Sequence, residues 1–135
     1  MPYITWQKIH SVNIKQFDDD HKKLIGLINE LHDSMKIGQG RAVVEKILTS
    51  MFDYTQNHFT REETYMTQHR YPEFAKHRAA HREFTKKVAD FRKSFIEGKL
   101  ALSVEVMDFL RDWLVNHILD ADKKYGPFLN EKGVK

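Results

Sequence analysis

The sequence predicts an all-α fold: an up-down-up-down antiparallel four-helix bundle with an extended N-terminal arm and a short C-terminal tail. Apolar side chains recur at helical spacing in four separate segments. Glycine and proline cluster between these segments, and the connections are short, so consecutive helices should run antiparallel. Only three Pro and six Gly occur among 135 residues. We expect a single domain that spans residues 1–135.

The composition is typical of a folded globular chain and excludes several classes of protein. Hydrophobic residues make up 41% and charged residues 30% of the chain. The net charge is +3, with acidic and basic residues interspersed, so we expect no nucleic-acid partner. No apolar run approaches the ~18 residues of a membrane span, and no signal-peptide pattern opens the chain. We therefore expect no membrane insertion and a cytoplasmic location. Because Cys is absent, disulfides and thiolate metal sites are excluded.

The helices can be placed from the apolar pattern and the residues that interrupt it. Residues 1–17 lack helical periodicity and are predicted to form an arm whose apolar side chains lie against the bundle. Asp18, Asp19 and Asp20 offer an N-cap and first-turn negative charge for a first helix. The predicted helices cover about 18–37, 41–69, 73–97 and 103–122.

Glycine and proline mark the predicted helix ends. Gly38-Gln39-Gly40 should end the first helix, and Gly98 the third. Arg70-Tyr71-Pro72 should end the second, because proline disfavours a helical residue before it and cannot continue a helix. Tyr125-Gly126-Pro127 is predicted to end the fourth helix, and the residues after it to form a short tail in which Phe128 and Leu129 pack back.

The histidines form the most informative pattern. His77 and His81 are four residues apart without Gly or Pro between them, so both rings should lie on one helix face. In antiparallel helices with short loops, residues equally distant from a loop lie at the same height. By this criterion five His and two carboxylates from all four helices fall in one layer of the bundle interior: His21, His58, Glu62, His77, His81, His117 and Asp122.

Such a layer favours bound metal over a purely structural role. One buried His is usually a satisfied core residue, but five at one level would lack partners and would repel one another when protonated. Imidazoles and carboxylates without thiolates suit iron, manganese, copper or zinc. Seven ligands exceed what one ion accepts, so two ions bridged by the carboxylates fit the count. The absence of any Glu-x-x-His pair disfavours ferritin-like oxidases and iron stores.

These residues resemble the hemerythrin family, and in particular its single-domain bacterial members. The family pattern is His, then His-x-x-x-Glu, His-x-x-x-His and His-x-x-x-x-Asp. This sequence matches it in order, over essentially the whole chain, with His21, His58 to Glu62, His77 to His81, and His117 to Asp122.

The resemblance implies two non-heme iron ions and reversible binding of dioxygen, hence an oxygen-binding protein rather than an enzyme. It implies that His77, His81 and His117 hold a coordinatively saturated iron. His21 and His58 would hold the other iron, which keeps an open position. Glu62 and Asp122 would bridge the two together with an oxo or hydroxo group, and dioxygen would be held as hydroperoxide at the open iron.

The spacing alone favours a different carboxylate beside His117. Asp120 at i+3 is the simpler same-face choice, because Asp122 at i+5 lies about 140° around an ideal helix. The resemblance selects Asp122, so we expect a helix irregularity there, helped by the nearby Gly126-Pro127. One of the three aspartates at 18–20 could orient His21 through a hydrogen bond.

We also expect an apolar pocket near the two-His iron, which would slow autoxidation by keeping water and protons from displacing bound hydroperoxide. The residues one turn from ligands are Leu24, Phe59, Trp113, Leu114 and Ile118, although plain core packing explains all five as well. The predicted role is a monomeric dioxygen carrier, store or delivery protein, with an oxygen-consuming enzyme as a conceivable recipient. The alternatives are a di-iron peroxide or nitric oxide reductase or oxidase, and an oxygen sensor.

Overall fold

The computed structural model describes residues 3–38, 41–98 and 104–135 and shows a bundle of four long helices. Helix α1 spans Lys15–Ile37, α2 Arg41–Gln68, α3 Phe74–Ile96 and α4 Val104–Asn116. A π-helical segment, His117–Asp122, joins α4 to α5, Lys123–Glu131, and one 3₁₀ turn covers Lys8–His10. No strand occurs in these ranges. The predicted all-α four-helix bundle is confirmed.

The bundle is held together by apolar stripes that face one another. Helix α1 packs against α2 and α4, and α2 packs against α3. Phe84 of α3 stacks on Trp113 of α4 with ring centroids 4.0 Å apart, which brings the third and fourth helices into contact. The main core contains buried residues of all four helices, among them Leu31, Leu48, Val88 and Leu110. Of the described helices, none is long and apolar enough to cross a bilayer.

Helix α1 begins three residues before its predicted start. Ile14 is the N-cap and has an extended backbone. Both Ile14 and Phe17 are buried in a second apolar cluster. Burial of these two side chains on the face that continues to His21 draws the chain into the helix before the aspartates. Asp18 is therefore not the cap. Its carboxylate accepts hydrogen bonds from the Ser11 hydroxyl at 2.6 Å and the Val12 N–H at 2.8 Å, and so fastens the arm.

The fourth helix continues beyond its predicted end. Pro127 lies inside α5, so the prediction that Tyr125-Gly126-Pro127 ends the helix is wrong. Tyr125 and Leu129 are both fully buried in the second cluster, whereas Pro127 is exposed. Packing of the apolar face offsets the one backbone hydrogen bond that the proline cannot donate. The tail is limited to the last four residues.

The other helix ends follow the turn residues. Gly38 adopts the left-handed conformation, with φ 66°, and caps α1. Arg70 takes the same conformation just after α2, with φ 56°, and the Tyr71 N–H then bonds the Met66 carbonyl at 2.9 Å. Residues 39–40, part of the first predicted turn, lie outside the described residues. So do residues 99–103, which include the predicted start of the fourth helix.

The arm lies against the bundle as predicted, although it contains the 3₁₀ turn as well as extended backbone. The Asn29 side chain exchanges two hydrogen bonds of 2.8 Å with the backbone of Ile4, and the Tyr3 hydroxyl donates to Asp108. Farther along, the Val12 carbonyl lies directly over Gly126 of α5, leaving no room there for a side chain. The arm thus closes the end of the bundle near the predicted metal ligands.

Candidate metal centre

The structure brings all seven predicted ligands into one buried layer. Their exposed fractions range from 0% for His21 and Glu62 to 8% for His117. The donor atoms fall into two groups, in each of which the atoms lie within 4.8 Å of one another. Both groups include the two carboxylates, Glu62 and Asp122. The first group adds His77, His81 and His117, and the second adds His21 and His58.

The two carboxylates lie between the two sets of imidazoles. Asp122 places Oδ1 at 2.9 Å from His77 Nε2 and Oδ2 at 3.0 Å from His21 Nε2. Glu62 places Oε1 at 3.1 Å from His81 Nε2 and Oε2 at 3.3 Å from His58 Nε2. Each carboxylate therefore turns one oxygen toward the three-His group and the other toward the two-His group, which is the geometry of a bridging ligand.

The donor atoms have no hydrogen-bond partners although they are buried. This holds for Nε2 of all five histidines, Oε1 of Glu62 and Oδ1 of Asp122 among the residues that the structure describes. Seven unpartnered polar atoms at one point in a protein interior are costly. Metal ions that accept the lone pairs remove that cost, so the chemistry of the donor set fits two metal ions.

The π-helical segment explains how Asp122 reaches the site. In a π-helix the hydrogen bonds join residues five apart, so residues i and i+5 lie on one face. His117 and Asp122 begin and end this segment, and their side chains meet at 3.0 Å, Nε2 to Oδ1. Asp120, which the spacing alone favoured, is exposed. The predicted helix irregularity is present at this position.

Two further carboxylates orient ligand imidazoles. Asp20 accepts a hydrogen bond from His58 Nδ1 at 2.9 Å, and Glu63 accepts one from His81 Nδ1 at 2.9 Å. Such bonds hold the proton on Nδ1 and leave the Nε2 lone pair toward the metal. The sequence analysis expected one of the three aspartates at 18–20 to orient His21 rather than His58, and it did not single out Glu63.

Asp20 is itself held by two neighbours on α2. Arg61 donates to both carboxylate oxygens, at 3.0 and 2.8 Å, and the Tyr54 hydroxyl donates at 3.0 Å. Burial opposes ionisation of this carboxyl, but the hydrogen bonds from His58, Arg61 and Tyr54 lower its pKa. The ionised Asp20 is thus a fixed acceptor for His58.

Tyr125 is a site residue that the sequence did not reveal. Its ring is fully buried and its hydroxyl donates a hydrogen bond to Glu62 Oε2. Burial and the charges of Glu62 and Asp122 raise the pKa of Tyr125 well above its usual value, so the hydroxyl keeps its proton. The prediction placed Tyr125 in the turn that ends the fourth helix, and only its apolar spacing from Leu129 could have indicated burial.

The carboxylates determine the protonation of the metal-free centre. Burial lowers the pKa of His21, but Asp122 and Glu62 outweigh it and raise that pKa to about 10. The same causes raise the pKa of His77 to about 9. Burial opposes ionisation of Glu62 and Asp122, yet the facing histidines hold both pKa values well below the usual range. Without metal, His21 and His77 therefore face the two carboxylates as protonated imidazoles.

The five predicted pocket residues lie around the same layer. Phe59 stacks on His81, with centroids 3.7 Å apart and planes 2° from parallel, and its ring is also 5.8 Å from that of His58. Trp113 stacks on His117 at 4.4 Å. Trp113 therefore contacts the three-His group, and Phe59 lies against that group and near His58 of the two-His group. The other three are buried in the main core: Leu24, Leu114 and Ile118.

Comparison with known proteins agrees with this geometry. A family model described as the hemerythrin HHE cation binding domain matches residues 12–129. A bacteriohemerythrin of Methylococcus capsulatus is 38% identical, over 96% of this chain and 99% of that protein. A bacteriohemerythrin of Stenotrophomonas maltophilia is 35% identical, over 93% of this chain and 80% of that protein. A crystal structure of wild-type hemerythrin, also 38% identical, superposes with a TM-score of 0.88 over 93% of this chain and 96% of that one. The chain belongs to the hemerythrin family.

Proposed function

We propose that this protein binds two iron ions and, through them, reversibly binds dioxygen. The observation that carries the proposal is the unequal division of the donors: three imidazoles in one group and two in the other, with both carboxylates in each. A protein that only stores or buffers metal would not need donor groups with different numbers of imidazoles. The unequal division leaves fewer protein ligands at the two-His side, which is where a small external ligand would find room.

In this proposal the ligands have separate roles. His77, His81 and His117 hold one ion, while His21 and His58 hold the other, and each of these imidazoles presents an unpartnered Nε2. Glu62 and Asp122 bridge the pair and bring two negative charges that offset much of the metal charge in a buried place. Two ferrous ions, when bound, supply the two electrons and the open position that reversible binding of dioxygen needs.

The rest of the chain isolates and steadies the centre. Asp20 and Glu63 fix the orientation of His58 and His81, and Tyr125 fixes Glu62. We propose that an apolar wall excludes water from the two-His side, formed by Leu24, Phe59, Trp113, Leu114 and Ile118. Excluding water and protons favours release of dioxygen unchanged over irreversible oxidation of the centre.

A visible spectrum tests the proposal. The reduced, iron-loaded protein should develop a new visible absorption band in air and lose it under vacuum, over repeated cycles. Immediate irreversible oxidation, or rapid turnover of peroxide or nitric oxide, would instead indicate a di-iron enzyme. Delivery to an oxygen-consuming enzyme, the monomeric state and the cytoplasmic location stay predictions, as does the alternative role of an oxygen sensor.

A further inference from the structure

The hydroxyl of Thr55 has no hydrogen-bond partner in the part of the chain that the structure describes, although only 1% of the residue is exposed. The other threonines of α2 behave differently. Thr60, Thr64 and Thr67 each donate to the carbonyl four residues earlier, at 2.7 to 2.8 Å, and Thr49 accepts a hydrogen bond from an arginine at 3.0 Å. A threonine hydroxyl within a helix commonly donates a hydrogen bond to the carbonyl four residues earlier. Thr55 alone among them turns an unsatisfied hydroxyl to the interior.

The position of Thr55 is next to the two-His group. It precedes His58 by three residues and Phe59 by four, so the three share one face of α2. Helical side chains lean toward the helix N-terminus, so the His58 ring lies over the turn that contains Thr55. On α1, Leu24 is likewise three residues nearer to the connecting turn than His21. Leu24 and Thr55 therefore lie at one level, directly beside the two-His side of the centre.

This level is otherwise apolar. Phe84 of α3 is three residues from His81, and Leu114 of α4 is three residues from His117, in both cases toward the same end of the bundle as Thr55. Each of these two side chains is 2% exposed. A lone hydroxyl among such side chains destabilises the fold unless it finds a partner. Because these side chains are all at most 3% exposed, a partner from outside has to be small.

We propose that the Thr55 hydroxyl donates a hydrogen bond to the small ligand at the two-His side, and so favours ligands of two or three atoms whose far end accepts a hydrogen bond. The inference rests on the proposed function and adds one polar contact to a pocket whose other walls are apolar. It makes Thr55 a residue that determines which small ligands bind, separate from the metal ligands themselves.

Three variants test the role of the hydroxyl. Thr55→Val keeps the shape but removes the hydroxyl, Thr55→Ser keeps the hydroxyl, and Thr60→Val is a matched control on the exposed face of the same helix. The probe is azide, titrated into the oxidised, iron-loaded protein and followed by visible absorption. Thr55→Val should weaken azide binding about three- to tenfold, the effect of one hydrogen bond. The other two variants should stay within about twofold of the unaltered protein. Azide binding by Thr55→Val within that twofold range, or equal weakening by Thr55→Ser, would overturn the inference.

A second readout needs no metal. If the hydroxyl is unpartnered within the protein, metal-free Thr55→Val should melt at the same temperature as the unaltered protein or higher, since a buried unsatisfied group has been removed. A clearly lower melting temperature would show that the hydroxyl already has a protein partner, and would also overturn the inference. If the unaltered protein loads no iron, the proposed function fails, and the melting comparison still decides whether Thr55 is unpartnered.

Discussion

His117 and Asp122 are five residues apart, yet they meet at 3.0 Å because the chain between them is π-helical. A regular α-helix would point Asp122 about 140° away from His117 and out of the centre. The wide turn thus supplies one of the two carboxylates that both donor groups share. A local departure from α-helical geometry at a functional site is the usual setting of such segments.

Loss of Asp122, but not of Asp120, should lower the iron content of the centre. Asp122→Ala removes a carboxylate that both donor groups share and leaves His21, His77 and His117 facing one another, so we expect fewer than about two irons per chain by metal analysis. Asp120→Ala is the matched control, because that carboxylate is exposed in the same segment. Equal iron loss in both variants would show that the choice between the two aspartates is wrong.

Loss of the orienting carboxylates should weaken metal binding without abolishing it. Asp20→Asn and Glu63→Gln each replace the acceptor of a ligand Nδ1–H, so we expect affinity for ferrous iron to fall about 10- to 100-fold in competition with a chelator. Asp19→Asn is the control, since Asp19 is exposed and pairs with Lys15 at the surface. Affinities of Asp20→Asn and Glu63→Gln equal to that of the control would contradict the assigned role.

Metal binding should release protons. At pH 7 the metal-free protein carries protons on the Nε2 side of His21 and His77, whose pKa values are raised to about 10 and about 9. Metal needs both lone pairs, so adding ferrous iron in weak buffer should release about two protons per chain or more, and affinity should rise with pH. A pH electrode or indicator dye measures this directly; binding with no proton release would contradict the charged state of the cluster.

The stability of the metal-free protein should fall in alkaline solution. His21 and His77 have folded-state pKa values above the ordinary 6.5. Their contribution to the free energy of unfolding is therefore fully present below about pH 6.5 and is lost as the pH rises through about 9 to 10. Denaturant melts of metal-free protein across this range provide the measurement. The iron-loaded protein serves as the comparison, because its imidazoles are held by metal and should show a weaker dependence.

Two glycines should respond in opposite directions to alanine. A Cβ on Gly126 would lie 2.6 Å from the Val12 carbonyl oxygen, so Gly126→Ala has to push the arm away and should destabilise the protein by about 1–3 kcal/mol. Gly26 has open space around its Cβ position, so Gly26→Ala should gain up to about 1 kcal/mol from helix propensity. Thermal unfolding compares the two; equal effects would show that the arm does not contact α5 as described.

The sequence predicted the parts of this structure that depend on periodicity. Ligands such as His58 and His81 lie on apolar stripes at helical spacing, and short loops then fix their common height. Features that depend on tertiary packing could not be predicted from the periodicity of the sequence. The burial of Ile14 and Phe17 moves the start of α1, and the burial of Tyr125 and Leu129 carries the helix past Pro127.

The hydrogen-bond partners of the ligands were equally hidden. Asp20 is adjacent to His21 in the chain but bonds His58 on the neighbouring helix, and nothing in the spacing distinguishes these two pairings. The predicted ligand Asp122 could be chosen over Asp120 only through the resemblance to a known family. Its physical reason is the π-helical segment from His117 to Asp122, which the spacing does not reveal.

The central claim is that one buried layer holds two ions that share Glu62 and Asp122. Anaerobic titration of the metal-free protein with ferrous iron, with metal analysis after desalting, tests it most directly. We expect about two irons per chain, and marked loss of both when Glu62→Gln and Asp122→Asn are combined, because each carboxylate belongs to both donor groups. Binding of a single iron, or retention of two irons by the double variant, would contradict the account.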